Sequence, residues 1–186
     1  MKQIRFISIV LLCWMLQSCA STKPAKAPAS QAIGAGELKS TVVIHKKVPA
    51  RTIDVGSVSP DDVATYAETL VGIPYRFGSM KRENGFDCSG FINFVFNHFN
   101  IKVPRTSVEF TNAGKEIKPA FSKKGDLILF TGSDANSGEV GHMGIVLENK
   151  KHHLSFIHAS TSRGVMVSTL NSYFTPRFVK VIRIFP

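Results

Sequence analysis

The sequence is poor in cysteine, in acid and in long apolar runs. Three cysteines in 186 residues, Cys13, Cys19 and Cys88, are too few and too unevenly spread to staple a disulfide miniprotein, so each needs its own reason. With 13 acidic residues against 23 Lys and Arg, an acidic solvating tail is excluded and an anionic partner is favoured: nucleic acid, anionic lipid or bacterial cell wall. No repeat is visible, and no close Cys-x-x-Cys or His-x-x-x-His pair supports a zinc site, which leaves a Cys-His-His metal centre the weaker alternative and no cofactor expected. What is present, 44% hydrophobic residues, suffices for one ordinary core.

Lys2 and Arg5 precede an eleven-residue apolar run, Phe6 to Leu16. That is shorter than the ~20 residues of a spanning helix and reads as an export signal over residues 1–18. Leu16-Gln17-Ser18-Cys19 then resembles the lipobox of bacterial lipoproteins, with a bulky Gln17, which implies a lipid on Cys19 and stable anchoring by more than one acyl chain. An ordinary signal peptide cut near Ala20 is the alternative. Export sets nucleic acid aside as a partner and leaves Cys88 as a lone thiol in an oxidising place, a liability unless its chemistry is needed.

Residues 19–36, rich in Ala, Ser, Pro, Lys and Gly, form a tether. Residues 37–58 carry Val42, Val43, Ile44, Val48, Ile53 and Val55 between Pro49 and Gly56, an extended arm or strand too short for a domain of its own. The folded unit is expected over 59–186. Ser59-Pro60-Asp61-Asp62 caps a first helix that Gly72 stops. Asp87-Cys88-Ser89-Gly90 opens a second, with Phe91, Phe94, Val95, His98 and Phe99 as its core stripe. A short third helix is predicted from Thr106 to about Ala113. Strands follow near 127–130, 143–147, 154–159, 165–167 and 178–184. Helices first and short strands after predict an α+β domain with an antiparallel sheet.

Cys88 at a helix start faces unpaired N–H groups that favour its thiolate, although Asp87 opposes this unless its carboxylate is occupied. A three-residue loop at 149–151 would set His142 directly opposite His158, Cβ atoms ~4.5–5.5 Å apart, and a register shift of two would leave them diagonal neighbours on one face. A helix-start thiol, a histidine base and a second ring that orients it are what nucleophilic acyl transfer requires. His45, His98, His152 and His153 read as surface or packing residues.

Six motifs then occur in order: Gly72-Ile73-Pro74-Tyr75-Arg76-Phe77-Gly78, Gly85-Phe86-Asp87-Cys88-Ser89-Gly90-Phe91, Val103-Pro104-Arg105-Thr106-Ser107, Gly125-Asp126-Leu127, Gly141-His142-Met143-Gly144-Ile145 and Phe156-Ile157-His158-Ala159-Ser160. Together they resemble the NlpC-type cell-wall cysteine peptidases over roughly residues 60–184. The resemblance implies a permuted papain-like fold, with the cysteine helix packed on a central antiparallel sheet. It implies Cys88 as nucleophile, His142 as general base, His158 as orienting third member and Tyr75 as oxyanion donor. Asp87 and Ser89 resemble positions that hold the amino end of a stem peptide, and Arg105 would help shape the cleft.

The implied activity is endopeptidase cleavage of an amide in a peptidoglycan stem or cross-link, by a lipid-anchored and monomeric envelope enzyme, at the periplasmic face of the outer membrane if the source is Gram-negative. An amidase or acyltransferase on the same scaffold and a non-catalytic wall-binding lipoprotein are the alternatives. The loop between Gly78 and Gly85 departs from the family pattern, as does Glu109-Phe110, and the separation of the two histidines is longer than in many relatives.

Overall fold

Burial and strand pairing organise the chain around one sheet. The computed structural model describes residues 52–151 and 153–186, so the export signal, Cys19, the tether and the arm up to residue 51 lie outside the described residues. Residues 52–58 run without regular structure and bury Ile53 and Val55 in the core.

Helix α1, Pro60–Glu68, begins as its sequence dictates: the Ser59 hydroxyl accepts from the Asp62 N–H at 3.1 Å, with Pro60 in the first turn. A short hairpin follows, β1 (Met80–Lys81) and β2 (Gly85–Phe86), then helix α2, Cys88–His98. The chain continues through β3 (Lys115–Ile117), β4 (Leu127–Thr131), β5 (Val140–Lys150), β6 (His153–Ser160), β7 (Gly164–Thr169) and β8 (Phe178–Arg183). The last six strands form one sheet in the order β3-β8-β4-β5-β6-β7, every pair antiparallel. This is the α+β arrangement expected, with β1, β2 and β3 added.

Three details differ from the sequence reading. The segment Ser107–Asn112 is a 3-10 helix rather than an α-helix. The Glu109 carboxylate accepts from both the Thr106 N–H and its hydroxyl, tightening the first turn of a segment too short to nucleate an α-helix on its own. The stripe on α2 also splits. Phe91, Ile92, Val95 and Phe96 are fully buried, whereas His98 stacks on Tyr66 of α1 with ring centroids 3.7 Å apart. The helix is wedged between sheet and α1, so two faces rather than one are covered.

The third difference concerns register. Strands β5 and β6 remain paired out to Lys150↔His153, so Asn149 and Lys150 are strand and only two positions separate the strands. Glu148 pairs with Ser155 but Val146 pairs with Phe156, leaving Leu147 as a bulge. Side chains alternate faces along a strand, so the tight turn alone would put His142 and His158 on opposite faces. The bulge removes that one-residue offset. Beyond it Ile145 pairs with Ile157, which sets Gly144 across from His158 and makes His142 its diagonal neighbour.

Candidate active site

The first turn of α2 is dictated by its own residues. Asp87 is extended (φ −80°, ψ 176°) and its carboxylate accepts from the Gly90 N–H at 2.5 Å. Position 90 has no room for a side chain, because a Cβ there would lie 2.1 Å from the Ser79 carbonyl oxygen. Arg105 completes the corner. Its Nη2 donates to Asp87 Oδ2 at 2.7 Å and its Nη1 to Ser89 Oγ at 2.9 Å. The Asp87 carboxylate, 6% exposed, is therefore occupied by the cap, by the Ser89 hydroxyl at 3.3 Å and by a guanidinium.

Cys88 is partly buried at this corner, and its Sγ donates to the Gly141 carbonyl at 3.7 Å. The helix start does not make it a resting thiolate. Burial raises the thiol pKa, Asp87 raises it further, and the Ser89 and Cys88 N–H groups and Arg105 pull it down without reversing the sign. Desolvation wins over the dipole, and the free enzyme holds a thiol.

Gly141 leads directly into His142 on β5, and Gly132 of the preceding loop packs so close that a Cβ on Gly141 would come within 2.7 Å of the Gly132 Cα. Glycine at 141 lets β5 pass this close to Gly132, whereas a Cβ at 132 would make only an ordinary contact. His142 Nε2 lies 2.9 Å from His158 Nδ1, and His158 Nε2 lies 2.9 Å from Ser168 Oγ on β7. Burial lowers the His142 pKa to about 4; burial and then the neighbouring His142 lower that of His158 to about 3. Both imidazoles are neutral at ordinary pH.

Neutral rings fix the proton pattern. A base that accepts the thiol proton at Nδ1 must carry its own proton on Nε2, which then donates to His158 Nδ1. His158 in turn carries its proton on Nε2 and donates to Ser168 Oγ. The expected face-sharing of the two histidines is present through the diagonal rather than the directly opposite geometry.

Tyr75 lines the same cleft as Cys88, His142 and His158, a space of about 400 Å³. Its loop is pinned to β2 by Arg76 N–H donating to the Phe86 carbonyl and Phe86 N–H to that of Pro74, each at 3.0 Å. Burial raises the phenol pKa, with Cys88 and Asp87 adding to the shift, so Tyr75 presents an O–H donor. Asp87, Ser89 and Arg105 do not line this cleft; Arg105 lines a neighbouring cavity with Arg76, Lys81 and Asn84. Arg105 thus orders the cysteine corner and does not wall the space beside the thiol.

Sequence reasoning missed Ser168, Thr131, Phe174 and Arg177. Ser168 becomes visible only through the β6–β7 register, where His158 pairs with Met166 two positions away. Phe174, whose ring centroid is 5.4 Å from that of His158, and Arg177 belong to a short 3-10 turn, Thr175–Arg177 with Phe174 as its cap, between β7 and β8 that carries no motif.

A family model described as NlpC/P60 family matches residues 72–183. Murein DD-endopeptidase MepS/Murein LD-carboxypeptidase of Escherichia coli strain K12 is 31% identical across 97% of this chain and 92% of its own length. Among solved structures, an NlpC/P60 family protein from Bacillus cereus superposes with a TM-score of 0.63 at 27% identity, covering 72% of this chain and 42% of that one. The NlpC/p60 domain of the peptidoglycan hydrolase SagA gives 0.55 at 29% identity over 68% of this chain and 99% of the domain.

Proposed function

This chain belongs to the NlpC/P60 family of cysteine peptidases, and on that premise we propose that it is a lipid-anchored peptidoglycan endopeptidase that cuts an amide in a stem peptide or cross-link with Cys88, His142 and His158 as its triad. One observation carries the reading: a thiol at a helix start, a neutral imidazole on the strand beside it and a second imidazole 2.9 Å behind that base line a single open cleft.

His142 takes the Cys88 proton as sulfur attacks the amide carbonyl. The oxyanion is met by the Cys88 N–H and the Tyr75 hydroxyl, donors of a kind worth ~2.7–4 kcal/mol each. His142 then protonates the leaving amine as the C–N bond breaks, giving a thioester. Water, deprotonated by His142, attacks the thioester and releases the acid, and the proton returns to sulfur. His158 holds the His142 tautomer throughout and shares the imidazolium charge. The thiol is generated into thiolate only during attack, which suits a lone cysteine in an oxidising compartment. Asp87 and Ser89, ordered by Arg105, are proposed to receive the amino end of the stem.

The anchor rests on Leu16-Gln17-Ser18-Cys19, with residues 19–36 as tether and 59–186 as the peptidase domain, and it places the enzyme in the cell envelope. Incubating the protein with purified sacculi and weighing the released fragments tests the reaction: stem or cross-link cleavage supports it, a cut at the sugar–peptide amide favours an amidase, and full activity in Cys88→Ser would overturn it. Palmitate labelling that persists in Cys19→Ala would remove the anchor.

A further inference from the structure

One wall of the cleft carries polar atoms that this mechanism leaves unused. Among the described residues, Arg177 is the one lining residue with a fixed charge. Its guanidinium carbon lies 4.1 Å from the centre of the Tyr173 ring, and Nη1 donates to the Tyr173 carbonyl at 3.0 Å. Among the described residues its Nε is a buried donor with no hydrogen-bond partner. No carboxylate pairs with it; the described ion pairs engage other cations.

The second orphan lines the same cleft. Thr131, 4% exposed, has a buried hydroxyl without a partner. Thr131 ends β4 and Arg177 closes the turn that leads into β8, and both line the same cleft. Buried polar atoms are nearly always paired, so two unpaired donors in the wall of one open cleft stand out, and an acceptor entering that cleft would satisfy them. A guanidinium seated over a tyrosine ring is held in place and offers a planar fork that matches a carboxylate.

The direction of the substrate follows from His142. That ring must protonate the leaving nitrogen, so the chain beyond the cut runs over the wall that carries it. His142 lies against Phe130 and Phe174, with ring centroids 6.2 and 6.4 Å away; Thr131 adjoins the first and Arg177 follows the second by three residues. Asp87, the buried anion of the site, stands outside this cleft.

We propose that Arg177 and Thr131 read a free carboxylate on the leaving-amine side of the scissile bond, so that the favoured substrate releases an amino acid or short peptide with its carboxyl group unblocked. This rests on the reading of Cys88 as nucleophile and His142 as its base, and it adds which substrates that pair prefers.

The test uses two stem tetrapeptides that differ only in a free or amidated terminal D-alanine carboxyl. Binding is measured by calorimetry on full-length Cys88→Ser, independently of turnover. The acid should bind about tenfold to a hundredfold tighter than the amide, the range of a charge-assisted hydrogen bond. Arg177→Gln in that background should bring the ratio near one, and Arg177→Lys should keep part of it. Thr131→Val, which removes an unpaired polar atom at nearly constant shape, should weaken acid binding while leaving the melting temperature the same or higher.

Equal binding of both peptides, undetectable binding of either, or a preference that survives Arg177→Gln overturns the proposal. So does an equal loss on both peptides in Arg177→Gln, which would make the guanidinium a general electrostatic aid. Turnover of the amidated peptide by the wild type, absent in Cys88→Ser, reports on the nucleophile separately, so the two readings fail independently.

Discussion

His158 Nδ1 lies 2.9 Å from His142 Nε2 while its other nitrogen meets Ser168 Oγ at the same distance. His142 is thus oriented by a relay two residues deep, and the relay ends on a serine. Ser168→Ala leaves His158 free to flip or exchange tautomers. A loss of about tenfold in kcat, with KM unchanged, is expected, against ~10²–10⁴-fold for His158→Ala. Nitrogen chemical shifts of His142 should show the Nε2-protonated form in the wild type and a tautomer mixture in Ser168→Ala.

Activity should persist well below the pH at which ordinary histidine bases fail. His142 is held near 4 by burial, against ~6.5 for a free imidazole, so it stays a competent base down to mildly acidic pH. The acid limb of kcat/KM on a soluble stem peptide is expected near pH 4 to 5; a limb near 6.5 would contradict the burial of the ring. Alkylation of Cys88 by iodoacetamide should titrate above the range of free cysteine, because burial and Asp87 raise the thiol pKa.

Much of this site was legible before any coordinates. The cap at Asp87 and the helix it opens follow from a local rule, a short acceptor before a helix; the shared face of His142 and His158 was expected from a three-residue loop, and the structure reaches it instead through a two-residue turn and a bulge. What stayed hidden depends on distant pairing. The bulge at Leu147 has no residue signature, since leucine is equally at home in a regular strand. The elevated Cys88 thiol pKa reflects how deeply the corner packs, which no nearest-neighbour pattern reveals. The split stripe on α2 follows from Tyr66 of α1 stacking on His98, a tertiary choice that periodicity cannot make.

Asp87 and Arg105 should move the thiol in opposite directions. Asp87→Asn keeps a capping oxygen but removes the charge that raises the Cys88 pKa, so alkylation at neutral pH should accelerate. Arg105→Ala removes a cation that lowers it and leaves a buried carboxylate unpaired, so alkylation should slow. The guanidinium side chain is 39% exposed, so its loss is expected to cost about 1–2 kcal/mol of stability, less than a fully buried pair. Chemical denaturation measures the second effect and alkylation rates the first.

Acid should weaken the fold through the same histidines. Their folded pKa values, about 4 and about 3, lie below the ~6.5 of the unfolded chain. The unfolded state therefore binds more protons between roughly pH 6.5 and 4, and stability present above that window is lost as pH falls through it. Melting temperature should drop between pH 7 and 4.5, with a shallower slope in His158→Gln.

Position 90 offers a purely steric control. Gly90→Ala drives a methyl into the Ser79 carbonyl, with an expected destabilisation of about 1–3 kcal/mol from overpacking. Thermal denaturation of this variant should show the loss even at a pH where the histidines are uncharged.

The single unpaired residue between Val146 and Glu148 also constrains how this enzyme can change over generations. A hairpin whose far end is a pair of hydrogen-bonded histidines behaves as a parity counter: residues gained or lost within the strands between Gly144 and His158 keep the pair together only when their number is even or when a compensating kink appears. Length variation at that tip should accordingly be sorted into odd changes that arrive with a new kink and even ones that need none.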